Sequence, residues 1–269
     1  MNIIEAIILG IVQGLTEFLP VSSSGHLVLT EELLGLTMHN IRFVVVVHLG
    51  SLLAVLAVYR VQVGKIIRGL YKGRVRYRKG KWKFDNPNTR LSWLLLMATI
   101  PAGLVGFFFG GMIERVFYHP FWVGVCLIVT GLVLFCIRFV KTAEDGLNWW
   151  RAGIIGLAQA VAILPGMSRS GSTIAAGIYS GVEKSRAAEF SFLLSIPVIL
   201  GAGVLEFRKM METAPESAEI VTLLLGAAAS AISGYLAIRF LLNVIKKGRL
   251  HYFAYYCWLV ALIVIIFSV

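Results

Sequence analysis

Charged residues are scarce in this 269-residue chain, at 14% of the composition, whereas hydrophobic residues make up 58% and the mean hydropathy is +0.83. A soluble globular domain has about 25% charged residues, so the composition excludes that class and indicates an integral membrane protein. The chain has only three cysteines, and all of them lie inside apolar runs. They provide neither a disulfide framework nor a cysteine-based metal site.

Acidic residues are also few, 14 against 25 Lys and Arg. The basic excess is clustered between apolar segments: eleven Lys and Arg fall in 60–90, and smaller groups fall in 138–151, 184–186 and 239–249. This pattern is the positive-inside signature and places those loops in the cytoplasm, so nucleic acid is not an expected partner. The first residues, MNIIEAIILG, contain no Lys or Arg, and we expect them to be retained rather than cleaved as a signal peptide.

Six apolar runs are long enough to cross a membrane as helices. They cover about 43–61, 91–112, 119–138, 188–207, 220–239 and 251–268. Two other apolar stretches, 3–35 and 148–182, are interrupted by LPVSSSG and LPGMSRSG. Because Pro, Ser and Gly break a helix and leave only short pieces on either side, each stretch predicts a re-entrant helical hairpin.

The basic clusters also give the direction of each hairpin. If each hairpin returns to its own side, the first enters from outside and the second from the cytoplasm, and three spans follow each. The predicted fold is therefore an all-α membrane protein with an inverted-topology repeat. We expect one membrane domain, 1–269, with repeat 1 at about 1–140 and repeat 2 at about 147–269.

A constant offset of 146 relates the two interrupted stretches. The residues that match at this offset are Gly10, Gln13, Ser22, Ser24 and Gly25 with Gly156, Gln159, Ser168, Ser170 and Gly171, while Pro20 and Pro165 are one step out of register. Inverted repeats with broken helices place their site where the breaks meet. The sequence therefore predicts the functional site at the two breaks.

The loop 74–84, RVRYRKGKWKF, alternates basic with apolar or aromatic residues. It is compatible with a short β-hairpin on the anionic inner leaflet and equally with a solvated loop. The sequence assigns it no chemistry.

Gln13 and Glu17 are four residues apart and so share one helix face. An ionisable side chain near the bilayer centre costs about 2.5–3.5 kcal/mol, so Glu17 requires a compensating partner. A structural ion pair and a metal-binding or catalytic role both satisfy that requirement.

The residues 22–24 are three serines that begin the second helix of the first hairpin. One of them is expected to cap that helix, and Ser24 is the predicted cap. A further serine near a base such as His26 is the minimal activated nucleophile. We expect Ser23 and His26 to form this pair.

In the second break, Arg169 lies between Ser168 and Ser170, with Thr173 one turn later. Hydroxyl groups and a guanidinium at a helix N terminus favour an anion such as phosphate. An ion pair between Arg169 and Glu17 without a ligand is the alternative. At the repeat offset, Glu17 corresponds to Ile163 and Ser23 to Arg169, so one hairpin provides the acid and nucleophile and the other the cation. His48 and Glu189 are each compatible with a cavity lining or with packing.

The chain resembles the undecaprenyl-diphosphate phosphatase family of the bacitracin-resistance type. The resemblance rests on QGLTEFLPVSSSGH, which fits the (E/Q)xxxE element of that family, and on PGMSRSGST, with support from HLGSLLAV and EFSFLLSIP. It covers essentially the whole chain.

The resemblance implies hydrolysis of a polyprenyl diphosphate to the monophosphate carrier and inorganic phosphate, with a divalent cation, Mg²⁺ or Ca²⁺. It implies a multi-pass protein of the inner membrane, whose site opens to the outer face and whose partners are its lipid substrate and the surrounding lipids. A homodimer is compatible with it. The implied core residues are Glu17, Ser23, His26 and Arg169, with Glu17 on the metal; the surrounding residues are Gln13, Ser22, Ser168, Ser170 and Thr173.

One position departs from the family pattern, because Gln13 occupies the first acidic position of (E/Q)xxxE. We therefore expect Glu17 to bind the cation alone or with substrate oxygens and water, and Gln13 to orient substrate or metal-bound water. Attack by Ser23, by water or by His26 is compatible with these residues. A transporter or flippase for lipid phosphates is the alternative function, since inverted repeats with broken helices are also a transporter layout.

Overall fold

A computed structural model describes residues 1–36, 41–78, 81–117, 120–140, 146–210 and 217–268. These residues form eleven α-helices, one 3₁₀ turn and one two-stranded sheet. The helices are α1 Ile3–Phe18, α2 Ser23–Leu33, α3 Ile41–Val58, α4 Arg60–Lys72, α5 Pro87–Phe117, α6 Pro120–Cys136, α7 Trp149–Val161, α8 Arg169–Tyr179, α9 Lys184–Met210, α10 Ser217–Lys246 and α11 Tyr252–Ser268. The 3₁₀ turn Ile137–Phe139 extends α6, and the strands are β1 Val75–Arg78 and β2 Lys81–Phe84.

Both interrupted stretches are broken helices, as predicted. Helix α1 ends at Phe18 and α2 begins at Ser23, and α7 ends at Val161 while α8 begins at Arg169. A proline and a Ser/Gly run separate the two helices in each pair, because proline has no N–H to continue the helical ladder.

Each of the six predicted spans is helical in the structure. Four helices in the described residues are long and apolar enough to cross a membrane, covering 87–111, 120–139, 184–204 and 219–246. A fifth crossing segment is α3 if it is counted together with α4, and α11 is a shorter apolar helix. The chain is therefore an all-α membrane protein apart from one small hairpin.

The cation-rich segment 62–90, between the first two predicted spans, was expected to be a loop, and this prediction is wrong. Its described residues include most of helix α4 and a two-stranded sheet. Helix α4 turns by 90° relative to α3 after Val58. Its cations suggested a solvated connection, but they occupy only part of the helix surface, and apolar residues at helical spacing occupy the rest. Of the two alternatives left open for 74–84, the structure has the β-hairpin, with Tyr77 opposite Trp82; its turn, 79–80, lies outside the described residues.

The helix that precedes each break packs on a long helix of the other half of the chain. Helix α1 packs mainly on α10, and α7 packs mainly on α5. Small residues permit the approach: a Cβ on Gly14 would collide with Ser233 Oγ and the Ser230 carbonyl oxygen. The last turn of α1, which includes Glu17, is thereby held firmly against α10.

Candidate active site

Glu17 is the centre of a buried polar cluster in the last turn of α1. Its Oε1 accepts a hydrogen bond from Arg169 Nη2 in an ion pair that joins the two hairpins. Its Oε2 accepts hydrogen bonds from Gln13 Nε2 at 2.9 Å and from Ser23 Oγ at 2.7 Å. The carboxylate is only 6% exposed, so these donors replace the water that it loses on burial.

The imidazole of His48, on α3, also faces this carboxylate. Its Nε2 lies 3.7 Å from Glu17 Oε2, while its Nδ1 donates to the Val44 carbonyl oxygen at 2.7 Å. A backbone carbonyl can only accept, so the Nε2 atom is the one free to take up a proton next to the carboxylate. Sequence reasoning left His48 open between cavity and packing, and the structure places it in the Glu17 cluster.

Ser23 and His26 do not hydrogen-bond to each other in the structure. Ser23 Oγ donates to Glu17 instead. His26 Nδ1 donates to the Ser22 carbonyl oxygen at 2.8 Å, so Nε2 of the neutral ring accepts from the hydroxyl of Tyr256, also at 2.8 Å. The carboxylate, rather than the imidazole, is therefore positioned to take the serine proton.

Sequence reasoning missed Tyr256, on the last helix. Its ring lies nearly parallel to that of His26, with 9° between the planes and 5.6 Å between the centroids. The segment YFAYYCW contains four aromatic residues besides Tyr256, and only the rotation of α11 decides which side chain reaches His26. No sequence signal could have selected it.

The predicted cap of α2 is wrong: the N-cap is Ser22, not Ser24. Ser22 Oγ accepts from the Gly25 backbone N–H at 3.5 Å, because the helix begins at Ser23 and the third N–H of a helix points back to the cap. Ser22 also has a φ of 69°, the left-handed region that costs a non-glycine residue free energy. Ser24 Oγ lies 3.3 Å from Ser22 Oγ.

The second break has the same cap. Ser168 Oγ accepts from the Gly171 N–H at 3.1 Å and lies 3.3 Å from Ser170 Oγ. Thr130, on α6, was missed by sequence reasoning, and it secures this break by donating to the Gly166 carbonyl oxygen and accepting from the Ser168 N–H. The breaks thus have matched caps at positions 146 residues apart.

The two breaks also touch. Ser170 Oγ donates to the Leu19 carbonyl oxygen at 3.1 Å. A Cβ on Gly171 would lie 3.2 Å from the Cβ of Pro20. Glu17 and Arg169 therefore meet because the backbones that hold them are in contact.

Among the residues predicted to surround the catalytic core, Gln13 donates a hydrogen bond to Glu17. The hydroxyls of the second hairpin contact neighbouring backbone and hydroxyl groups instead. Thr173 is fully buried, and its hydroxyl contacts the Arg169 carbonyl oxygen at 2.8 Å and Ser191 Oγ at 2.6 Å. Thr173 thus ties the first turn of α8 to α9. Ser168 and Ser170 hold the break in the same way.

One side of the cluster has an unused acceptor. Gln13 Oε1 is buried and has no hydrogen-bond partner within the described residues. A buried amide oxygen without a partner is costly, so this atom is available to a ligand, a water molecule or a cation. Amide and carboxylate oxygens are hard donors that suit Mg²⁺ or Ca²⁺.

A cavity of about 990 Å³ lies away from this cluster. It is lined by β2, the first turns of α5 and α7, and Glu189 of α9. Glu189 therefore lines a cavity, but not the one that contains Glu17. The cluster at Glu17 is the candidate active site, because the buried ion pair with Arg169, the hydroxyl of Ser23 and the imidazole of His48 meet there.

Comparisons with known proteins identify the family of this chain. The family model described as "Bacitracin resistance protein BacA" matches residues 6–263. A protein named "Undecaprenyl-diphosphatase" from Alkaliphilus metalliredigens is 43% identical over 100% of this chain and 99% of its own length. Proteins of the same name from Methanobrevibacter smithii and Halothermothrix orenii are 44% and 40% identical, each over 100% of this chain and 99% of its own length.

The match to the family model spans nearly the whole chain, including both breaks and the helices that carry Glu17, Ser23, His26 and Arg169. The three relatives align over the full length of the chain, so both hairpins lie within the shared region. The chain belongs to the BacA family of bacitracin resistance proteins.

Proposed function

We propose that this protein hydrolyses undecaprenyl diphosphate, or a similar polyprenyl diphosphate, to the monophosphate and inorganic phosphate, and so recycles the lipid carrier for cell-wall synthesis. The single observation that carries the proposal is the contact of Glu17 with both Ser23 and Arg169 where the two breaks meet. The family and the names of the relatives favour a hydrolase over the transporter alternative.

Arg169 binds the diphosphate in this proposal. A guanidinium has five N–H donors, and the ion pair with Glu17 leaves others for phosphate oxygens. Arg169 is the first residue of α8, so the positive end of the helix dipole adds to its charge. His48 adds a second positive charge when its ring is protonated.

Ser23 is the proposed nucleophile. Its Oγ attacks the terminal phosphorus, the proton passes to Glu17 Oε2, and the bond to the bridging oxygen breaks to release polyprenyl monophosphate. Water then attacks the phosphorus of the phosphoserine, the bond from phosphorus to the serine oxygen breaks, Glu17 returns its proton to that oxygen, and inorganic phosphate leaves. His26 serves as the base for that water once the Tyr256 hydroxyl releases Nε2.

The donors at the cluster fit a divalent cation that takes most of its ligands from the substrate and from water. Glu17 and the Gln13 amide oxygen would hold it, and the described residues contain no group of three His, Cys, Asp or Glu that forms a complete protein cage. When bound, Mg²⁺ or Ca²⁺ supplies neutralisation of the charge that develops on the phosphate oxygens.

Phosphate release from farnesyl or polyprenyl diphosphate tests this function. Detergent-purified protein should release inorganic phosphate in a reaction that requires a divalent cation and that chelation abolishes reversibly. Binding of the diphosphate without release under all metal conditions would refute the hydrolase and restore the transporter.

We also propose the finer topology, an inverted repeat of two halves at about 1–140 and 147–269, each with one hairpin and three spans. The matched caps and the reciprocal packing of α1 on α10 and α7 on α5 support it. With the basic clusters in the cytoplasm, the Glu17 hairpin enters from the outer face of the inner membrane, and the site opens to that face.

Labelling tests the side of access. In a variant without the three native cysteines, a cysteine at position 24 should react with an impermeant thiol reagent added outside intact cells. Reaction from the cytoplasmic side alone would contradict the orientation. Crosslinking of the protein in the membranes of these cells tests whether it forms the homodimer that the sequence allows.

A further inference from the structure

Helix α4 has the features of a helix that lies in the plane of the membrane surface. It turns by 90° relative to α3. Ile67, Leu70 and Tyr71 form an exposed apolar stripe, with 49%, 41% and 88% of their surface accessible. Lys65, Arg68 and Lys72 occupy a separate stripe at helical spacing. A cationic stripe and an exposed apolar stripe on one helix are typical of interfacial helices.

The cationic stripe borders a small cleft against the start of α5. This cleft, of about 220 Å³, is lined by Lys65, Arg68, Lys72, Asn86 and Asn88, with Gly69 and Gly73 at its base. Every side chain on its wall is therefore a cation or an amide, as an anion requires. In the part of the chain that the structure describes, none of the three cations has an ion-pair partner.

Asp85 is the acidic residue next to Asn86 in the chain, but its carboxylate is already occupied. It accepts from the Arg74 N–H at 3.0 Å, from Thr89 Oγ1 at 2.9 Å and from Asn86 Nδ2 at 2.9 Å. The Arg74 N–H is the main reason that the pKa of Asp85 is lowered. These bonds hold the carboxylate on the loop backbone, and it is not part of the cleft wall.

The β-hairpin follows α4 in the chain and also exposes aromatic and cationic side chains. Tyr77 and Trp82 lie opposite each other on one face, 64% and 61% exposed, with 5.0 Å between ring centroids. Arg76 and Lys83 lie opposite each other on the other face. Like charges placed directly opposite destabilise a hairpin unless an anion compensates them. Exposed aromatic rings prefer the headgroup region of a bilayer.

We propose that the cleft between α4 and the start of α5 binds the phosphate of an anionic phospholipid in the leaflet that α4 contacts. The exposed apolar stripe of α4 identifies a lipid rather than a soluble phosphate as the source. The assignment of this leaflet as the cytoplasmic one rests on the topology proposed above. The site is separate from the Glu17 cluster and does not depend on the hydrolase proposal.

Lipid binding by the full-length protein tests this site. The purified chain is incubated with phosphatidylglycerol or phosphatidylcholine, and bound lipid is measured by native mass spectrometry. The triple variant Lys65→Ala/Arg68→Ala/Lys72→Ala should bind phosphatidylglycerol at least about tenfold more weakly, since each cation near an anionic surface contributes measurably. Phosphatidylcholine should bind weakly to both proteins.

A matched control removes three cations at the end of α10 and just after it, in the variant Lys246→Ala/Lys247→Ala/Arg249→Ala. This variant has the same change in net charge and should keep its phosphatidylglycerol binding. Both variants should keep the thermal unfolding temperature of the unsubstituted protein in detergent, which shows that they are folded. The proposal is overturned if the α4 variant binds phosphatidylglycerol normally, if the control loses as much, or if millimolar inorganic phosphate displaces the lipid, because the last result identifies a free-anion site.

Discussion

The two helix breaks have the same backbone caps but carry different charged and hydroxyl side chains. In each, a cap serine accepts from the N–H of the glycine three residues later and has its Oγ 3.3 Å from the Oγ of the serine two residues later. The break after α1 has the carboxylate of Glu17 before it and Ser23 after it, whereas the break after α7 has Arg169 where the first has Ser23.

The difference separates two kinds of residue within one motif. Positions that match between the breaks, such as Ser22 and Ser168, hold the backbone. Positions that differ, Glu17, Ser23 and Arg169, form the interaction between the hairpins. We infer that both copies of the repeat have the same capped backbone, whereas the side chains that interact between the hairpins differ from one copy to the other.

Loss of the serine hydroxyl is expected to have the largest effect. Ser23→Ala should lower kcat at least about 10³-fold, because removing a nucleophile removes the step itself. Ser24→Ala, which deletes a hydroxyl of the same break, is the matched control and should retain most activity. Rapid-quench trapping measures the intermediate, and a phospho-enzyme formed by the Ser23→Ala variant would exclude this serine.

The ion pair between the breaks comes next. Glu17→Gln and Arg169→Gln should each lower kcat/KM about 10²- to 10³-fold, since each removes a charge that acts on the phosphoryl group. Each should also destabilise the protein by about 3–5 kcal/mol, because it leaves one buried charge unpaired.

The double variant Glu17→Gln/Arg169→Gln separates these two effects. It should recover part of the stability while activity stays lost, and unfolding in detergent measures the recovery. Full additivity of the two stability losses would show that the charges do not interact energetically.

A smaller effect is expected at Tyr256. Tyr256→Phe removes the hydrogen bond that must break before His26 Nε2 can act as a base, worth about 1 kcal/mol, so kcat should rise about threefold to tenfold with KM unchanged if cleavage of the phosphoserine limits the rate. Tyr255→Phe is the control on the same helix. Equal effects of the two substitutions would mean that the hydroxyl of Tyr256 has no particular role.

The cap serines should have the smallest effects. Ser168→Ala should lower stability by about 1 kcal/mol through the lost cap. Ser22→Gly should be close to neutral, because glycine costs little as a cap and adopts a φ of 69° without strain. Thermal unfolding measures both, and a large loss in Ser22→Gly would show that the Ser22 hydroxyl does more than cap.

Sequence patterns predicted the breaks, the apolar helices and the β-hairpin because each depends on local composition. They also identified Glu17 and Arg169, since a charge at membrane depth needs a partner. The contacts of His48 and Tyr256 could not be predicted, because the rotation of α3 and α11 decides which side chains face the cluster. Helix α4 was missed because a cation-rich sequence is typical of a loop. The apolar residues between the cations, at helical spacing, were not taken into account.

The right-angle bend after Val58 limits the length of α3 along its own axis. With 18 residues at 1.5 Å each, α3 rises about 27 Å, less than the about 30 Å of a typical hydrocarbon core. At its Val58 end α3 gains no further length along its own axis, since α4 runs sideways from that point. In the proposed topology the bilayer must thin around α3, which makes acyl-chain length a determinant of how well this protein fits its membrane.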